Sequence, residues 1–255
     1  MSFQIDVITL FPDLIEQAAQ YGVTGRAKEN NLWQLKTWNP RDFTHDPYRT
    51  VDDRPYGGGP GMVMLAQPLK EAIQAAKKHQ ADQCIDSPKV IFLSPQGALL
   101  THQKAVDLSL GAGLILLSAR YEGVDQRLID RYVDEEISIG EYVLSGGELP
   151  ALVLMDAVLR HLPGVLGDSR SAEQESFVGH WLDTPHYTRP EVFEDMAVPP
   201  VLLSGHHAQI ERWRHEQAVI KTWQKRPDML AHQPLSGDDK KIVESLIAQQ
   251  LNKEQ

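Results

Sequence analysis

Cysteine is nearly absent from these 255 residues: Cys84 stands alone, in a polar stretch. One thiol excludes an internal disulfide framework and a multi-cysteine zinc site, and it agrees with a reducing cytoplasm. Long hydrophobic runs are missing too. None approaches the roughly 20 apolar residues that cross a bilayer. The start, Met1-Ser2-Phe3-Gln4-Ile5-Asp6, lacks the basic region and apolar core of a signal peptide. The expectation is a soluble, cytoplasmic protein with no membrane partner. Positive charge is in deficit, with a net charge of −10. That argues against indiscriminate nucleic-acid binding, so any such partner needs a local basic patch. A P-loop is lacking as well. Gly57-Gly58-Gly59-Pro60-Gly61 is glycine-rich but has no Gly-Lys-Ser/Thr ending, which excludes nucleotide hydrolysis there. Beside Asp52, Asp53 and Arg54, that loop is open to a ligand role or to a plain tight turn. No internal repeat and no low-complexity tract is found.

What is present reads as a folded α/β protein. The hydrophobic content is 42%, and the length suits one large domain with a smaller appendage. Residues 3–9 largely alternate apolar and polar positions, and 33–37 looks like a second strand. Residues 90–93 and 114–118 are short, apolar and β-rich, as strands buried on both faces are. Residues 136–139 are another candidate. Between them, 67–77, 101–109 and 125–132 read as helices, and 149–160 is a strongly apolar helix with Pro150 in its first turn. This order predicts an α/β fold with a mostly parallel sheet. Composition then changes: 162–181 is polar and aperiodic and reads as a linker. The expected division is 1–161, a linker at 162–181, and a small second domain at 182–255. That second domain carries helices at 210–223 and 240–251.

Three glycine- and carboxylate-rich segments follow predicted strands: Ser94-Pro95-Gln96-Gly97, Arg120-Tyr121-Glu122-Gly123, and Ser138 through Pro150. In an open parallel sheet, ligands sit beyond the carboxyl ends of the strands, so three such loops can converge on one small molecule. Gly140, Gly146 and Gly147 let backbone approach a ligand closely. The acids Glu122, Glu141 and Glu148 disfavour a phosphate-rich ligand and suit one with a cationic centre.

Other groupings have ordinary readings. Glu135 and Glu136 are strand neighbours on opposite faces, which makes them a solvated strand start rather than a hydrolytic pair. His206-His207 has no third ligand at usable spacing, so no metal site is read from it. Arg214, Lys221 and Lys225 fall at i, i+7 and i+11 on one helical face. They back a stripe of Ile210, Trp213, Ile220 and Trp223. This is either a phosphate-binding surface or a solvated face packed by tryptophans. Arg160 closes a helix, where the dipole favours a cation, and Glu175 lies in a polar segment where a carboxylate needs no special reason.

Taken together the motifs resemble the bacterial tRNA (guanine-N(1)-)-methyltransferase family. They are Gly22-Val23-Thr24-Gly25-Arg26-Ala27, Asn39-Pro40-Arg41-Asp42-Phe43-Thr44, the 51–61 loop, Leu93-Ser94-Pro95-Gln96-Gly97, the 138–150 loop, and Pro185-His186-Tyr187-Thr188-Arg189-Pro190-Glu191. The resemblance runs from Leu10 to about Pro227. It implies methylation of the guanosine directly 3′ of the anticodon by a homodimer. It implies a trefoil knot of the SPOUT type in the α/β domain, and a small helical tRNA-binding domain whose basic helix lies over the partner's site.

S-adenosylmethionine is the implied cofactor, and its sulfonium is a cationic centre; magnesium is a further candidate. The cofactor would be cradled by Leu93, Ser94, Pro95, Gln96 and Gly97, by Ala119, Tyr121 and Glu122, and by the third loop. That loop contributes Ser138, Ile139, Gly140, Glu141, Tyr142, Val143, Leu144, Gly146, Gly147 and Pro150. The implied tRNA contacts are Arg26, Asp52, Gly59, Arg189, Arg214, Lys221 and Lys225. Glu175 would accept the N(1) proton, Arg160 would steady charge on the base oxygen, and Asp183 would orient the loop or substitute as base.

The chain departs from the family twice, with Ala119 for a glycine and Glu175 for an aspartate. The methyl of Ala119 is tolerable if its φ is negative and costly if positive. A non-catalytic RNA-binding module of the same fold is the alternative reading.

Overall fold

The computed structural model describes residues 2–167, 175–231 and 235–251. The chain forms two compact units, Met1–Ser169 and Arg170–Gln255. In the first, strand β1 (Phe3–Ile8) leads to helices α1 (Pro12–Ala18) and α2 (Gly22–Glu29), then to β2 (Trp33–Trp38). A short antiparallel pair follows, β3 (Asp52–Asp53) with β4 (Val63–Met64). The remainder alternates: α3 (Ala66–Asp82), β5 (Lys89–Leu99), α4 (His102–Ser109), β6 (Gly113–Ser118), α5 (Gln126–Tyr132), β7 (Glu135–Ser138) and α6 (Glu148–Leu159).

The five longer strands make one parallel sheet in the order β2-β1-β6-β5-β7. Helices cover both faces. One core gathers Ile5, Val7, Leu116 and Ile137 with Leu154 and Val158 of α6. The other gathers Ile8, Ile115 and Leu117 with Leu69 and Ile73 of α3. Burial on both sides is why β5 and β6 read as continuous apolar runs. β1 alternates for a different reason: Gln4 and Asp6 face α3 yet are buried. The Asp6 carboxyl group is met by Trp38 Nε1 at 2.7 Å and by Gln4 Nε2, Gln80 Nε2 and His79 Nδ1 at 3.0 Å each. A buried polar group is tolerated when it is satisfied in this way.

Two features depart from the sequence reading. Helices α1 and α2 carry no strong periodic signal: they span only 7 and 8 residues, and Gly22 and Gly25 depress the helix propensity of α2. β5 does not stop at Leu93. Leu93 and Ala98 both register on Ile137 of β7, so Ser94-Pro95-Gln96-Gly97 is an excursion thrown out from within one strand. Leu162 and Val165 pack on the first unit's core, and residues 168–174 of the expected linker lie outside the described residues.

The second unit holds a small hairpin, Val192–Phe193 with Met196–Ala197, besides helices His207–Lys225 and Gly237–Leu251. On the first of these helices Ala218, Val219 and Thr222 are the buried residues, with Ile210, Trp213, Ile220 and Trp223 half-buried beside them.

Candidate functional site

Beyond the carboxyl ends of β6 and β7, beside the 94–97 excursion of β5, lies a cavity of about 370 Å³. The three segments expected to converge do so. Its wall includes Leu93, Ser94, Pro95 and Gln96, then Ala119, Tyr121 and Glu122. It continues with Ser138, Ile139, Gly140, Tyr142, Val143, Leu144, Gly146, Gly147 and Pro150. Two expected residues are not on it. Gly97 instead packs the excursion on β7, where a Cβ would meet the backbone of Ile137 at 2.5 Å, and Glu141 is exposed outside the lining. Glu148, expected to face a ligand, is wholly buried behind the wall.

The wall is held by its own hydrogen bonds. Gly147 N–H donates to the carbonyl of Ala119 at 2.8 Å, and Tyr142 N–H to that of Gly140 at 3.0 Å. Ser138 Oγ donates to the Gly140 carbonyl at 3.0 Å and accepts from the Gly140 N–H at 3.2 Å. Glycine is required at 147, where a Cβ would stand 2.7 Å from Cα of Ser118. Ala119 is not among the non-glycine residues with positive φ, so its extra methyl carries no backbone strain. Tyr121, two residues on, does take the left-handed conformation, at φ 59°.

Sequence reasoning missed part of the wall. Arg120 belongs to it, beside Tyr121 and Glu122 of the same segment. Glu136 lines it too, while its neighbour Glu135 faces away to meet Lys89 and Lys104. Strand alternation separates the two as expected, but Glu136 is no solvated bystander. Gln126 and Ile129 of α5 complete one side; nothing short of the fold signals them. The 51–61 loop docks behind: Glu122 N–H donates to the carbonyl of Met62 at 2.9 Å, and Gly61 has no room for a Cβ beside the Glu122 side chain.

Of the remaining candidates in the first unit, none lines this cavity. Arg160 is half-buried at the carboxyl end of α6. Next to it, the His161 ring stands edge-on to His102, with centroids 5.0 Å apart. Arg26 and Gly59 are exposed and Asp52 is half-buried in β3. In the second unit, Glu175 is half-buried at the head of a turn, its carbonyl accepting from Val178 N–H at 3.2 Å. The Asp183 carboxylate accepts from Thr184 N–H at 2.6 Å and lies 2.7 Å from His186 Nε2. Arg189 and Lys225 are exposed, and Arg214 pairs with Glu211 at 2.9 Å. Lys221 turns inward, donating to the Asp183 carbonyl at 2.8 Å. Among the described residues no three potential metal ligands gather into one group, and no helix is long and apolar enough to cross a membrane.

A parallel sheet whose strand ends open into a glycine-walled, acid-lined cavity defines an α/β enzyme domain built to hold a small molecule. Residues 3–232 match the family model described as tRNA (Guanine-1)-methyltransferase TrmD, and the chain belongs to that family, which makes it an enzyme of the transferase class. It is similar to the tRNA (guanine-N(1)-)-methyltransferase of Cupriavidus metallidurans, 59% identical over 249 residues and 96% of each chain. The enzymes of that name from Nitrosospira multiformis and Chromobacterium violaceum are each 58% identical, over 247 and 240 residues. Those matches cover 96% and 94% of each chain.

Proposed function

We propose that this protein methylates N(1) of the guanosine immediately 3′ of the anticodon in tRNA, with S-adenosylmethionine as methyl donor. The observation that carries the reading is the cavity at the ends of β6 and β7 and the 94–97 excursion of β5. Its volume suits a small cofactor, the close approach of Gly147 to Ser118 seats the third loop on the end of β6 beside it, and Glu122 and Glu136 suit a cationic sulfur. When bound, the cofactor supplies a methyl group on a sulfonium. The chain's own work is to hold the donor, strip water from it and take up a proton. Glu175 accepts the N(1) proton of guanine and Arg160 steadies negative charge on the base oxygen. Asp183, already bonded to Thr184 and near His186, orients the turn.

Arg26, Asp52, Gly59 and Arg189 contact tRNA, together with the helix bearing Arg214 and Lys225, which Lys221 braces from behind. Residues 182–255 form the tRNA-binding domain. The enzyme is a cytoplasmic homodimer. What supports the dimer is an apolar strip on the packed pair α1 and α6, where Phe11, Leu14, Leu149 and Val153 are 41–53% exposed. Support for the knot is the tightness with which the 94–97 excursion lies on β7 and the 145–147 turn on the end of β6. Magnesium is a second requirement of the reaction.

The deciding experiment is methylation of an unmodified tRNA transcript followed by nucleoside analysis, with and without a magnesium chelator. N(1)-methylguanosine at that one position is expected. Tight tRNA binding with no methyl transfer would return the chain to a non-catalytic RNA-binding module.

A further inference from the structure

Glu148 opens α6 directly behind the cavity wall and is fully buried. Its Oε1 accepts a hydrogen bond from the Thr9 hydroxyl at 2.8 Å. Its Oε2 lies 2.9 Å from Nε of Arg120. The Nε–H is not aligned along that line, so the two groups are held by charge rather than by a directed hydrogen bond. Arg120 is itself part of the wall. Its Nη1 donates to the Ser145 carbonyl at 3.1 Å, and its guanidinium stacks over the Phe11 ring at 4.5 Å. Gly146 makes room for the pair, since a Cβ there would overlap both side chains. Arg120 is the one cation among the described residues that line the cavity.

An uncompensated arginine in such a wall opposes a cationic ligand, because a low local dielectric lets like charges repel over several ångströms. We propose, on the methyltransferase reading above, that Glu148 is a specificity residue for the methyl donor. From behind the wall it cancels the charge of Arg120, so that Glu122 and Glu136 set the field at the sulfur. Thr9 holds the carboxylate in place for this. The pair thereby favours a sulfonium over the uncharged thioether of the same shape, which helps exchange spent cofactor for fresh.

The test is calorimetric binding of S-adenosylmethionine and S-adenosylhomocysteine, without tRNA, to wild type, Glu148→Gln and the double variant Arg120→Gln/Glu148→Gln. Folding of each protein is checked by thermal melting. Glu148→Gln keeps the shape and an acceptor for Thr9. It is expected to lower the sulfonium-to-thioether affinity ratio by about 10-fold or more, and the double variant should restore the wild-type ratio. An unchanged ratio in Glu148→Gln, or an equal loss of both ligands, would overturn the proposal by reducing Glu148 to a packing residue. A ratio that stays low in the double variant would also overturn it, because Arg120 would then not be the intermediary. That variant leaves no lone buried charge, so if Glu148→Gln fails to fold, a low ratio in the double variant still overturns the proposal. Glu148→Asp, which keeps the charge, is then expected to hold the wild-type ratio where Glu148→Ala lowers it. Wild type that binds neither ligand would overturn the donor site itself, an outcome distinct from all of these.

Discussion

Lys221 and Asp183 are joined through the wrong end of the acid. The ammonium donates to the main-chain carbonyl of Asp183 at 2.8 Å, while the carboxylate turns to His186. A lysine that sequence spacing puts in a basic stripe is thus a strut within the second unit.

The three cations of that stripe should therefore separate experimentally. Arg214→Ala and Lys225→Ala are each expected to reduce the salt slope of tRNA binding by about one. Lys221→Ala should leave the slope nearly intact and destabilise the second unit by about 1 kcal/mol, the worth of a lost hydrogen bond. Filter binding across a salt series, with thermal melts alongside, distinguishes the two behaviours. A slope reduced as much by Lys221→Ala as by Lys225→Ala would contradict the strut.

Glu175→Gln should preserve both binding affinities while slowing single-turnover methyl transfer by roughly 10²–10⁴-fold, the usual scale of general-base loss. Glu175→Asp should retain much of the rate. Wild-type transfer in Glu175→Gln, with loss in Asp183→Asn or His161→Ala, would move the base elsewhere.

Gly140 takes φ 155°, a conformation that L side chains rarely adopt, and an added Cβ there would overlap the Tyr142 ring. Gly140→Val is expected to weaken S-adenosylmethionine binding without unfolding the protein. Wild-type calorimetric affinity in a folded variant would remove this residue from the cradle.

Acid should loosen the second unit through Asp239. Burial alone would raise its carboxyl pKa, but hydrogen bonds from Ser236 and His215 outweigh that and hold it below the ordinary value. A carboxylate with a lowered folded pKa contributes stability that is full above about pH 3.9 and is lost as pH falls through the folded value. Hydrogen exchange in helix Gly237–Leu251 should accordingly rise below pH 4, relative to intrinsic rates. Asp239→Asn should flatten that dependence; a variant with the same pH profile as wild type would rule Asp239 out.

The sheet was legible because strands covered on both faces must be apolar throughout, as 90–93 and 114–118 are. The convergence of the loops was legible because strand ends in a parallel sheet share one edge. What escaped depends on partners far along the chain. Nothing local says that β5 resumes at Ala98, since that register is set by Ile137 of another strand. Acidic Glu148 looked like a ligand contact until Thr9 and Arg120, distant in sequence, enclosed it. Arg120 could have been found: a cation beside Tyr121 and Glu122 in a wall motif shares their location.

Ile137 belongs at once to the hydrophobic interior, to the seam between β5 and β7, and to the cavity lining. Whatever occupies the cavity thus leans on the same side chain that holds the first unit together. Ligand occupancy and heat resistance of that unit are one linked quantity. The melting curve of the whole protein therefore reads out cofactor analogues, with no RNA and no turnover.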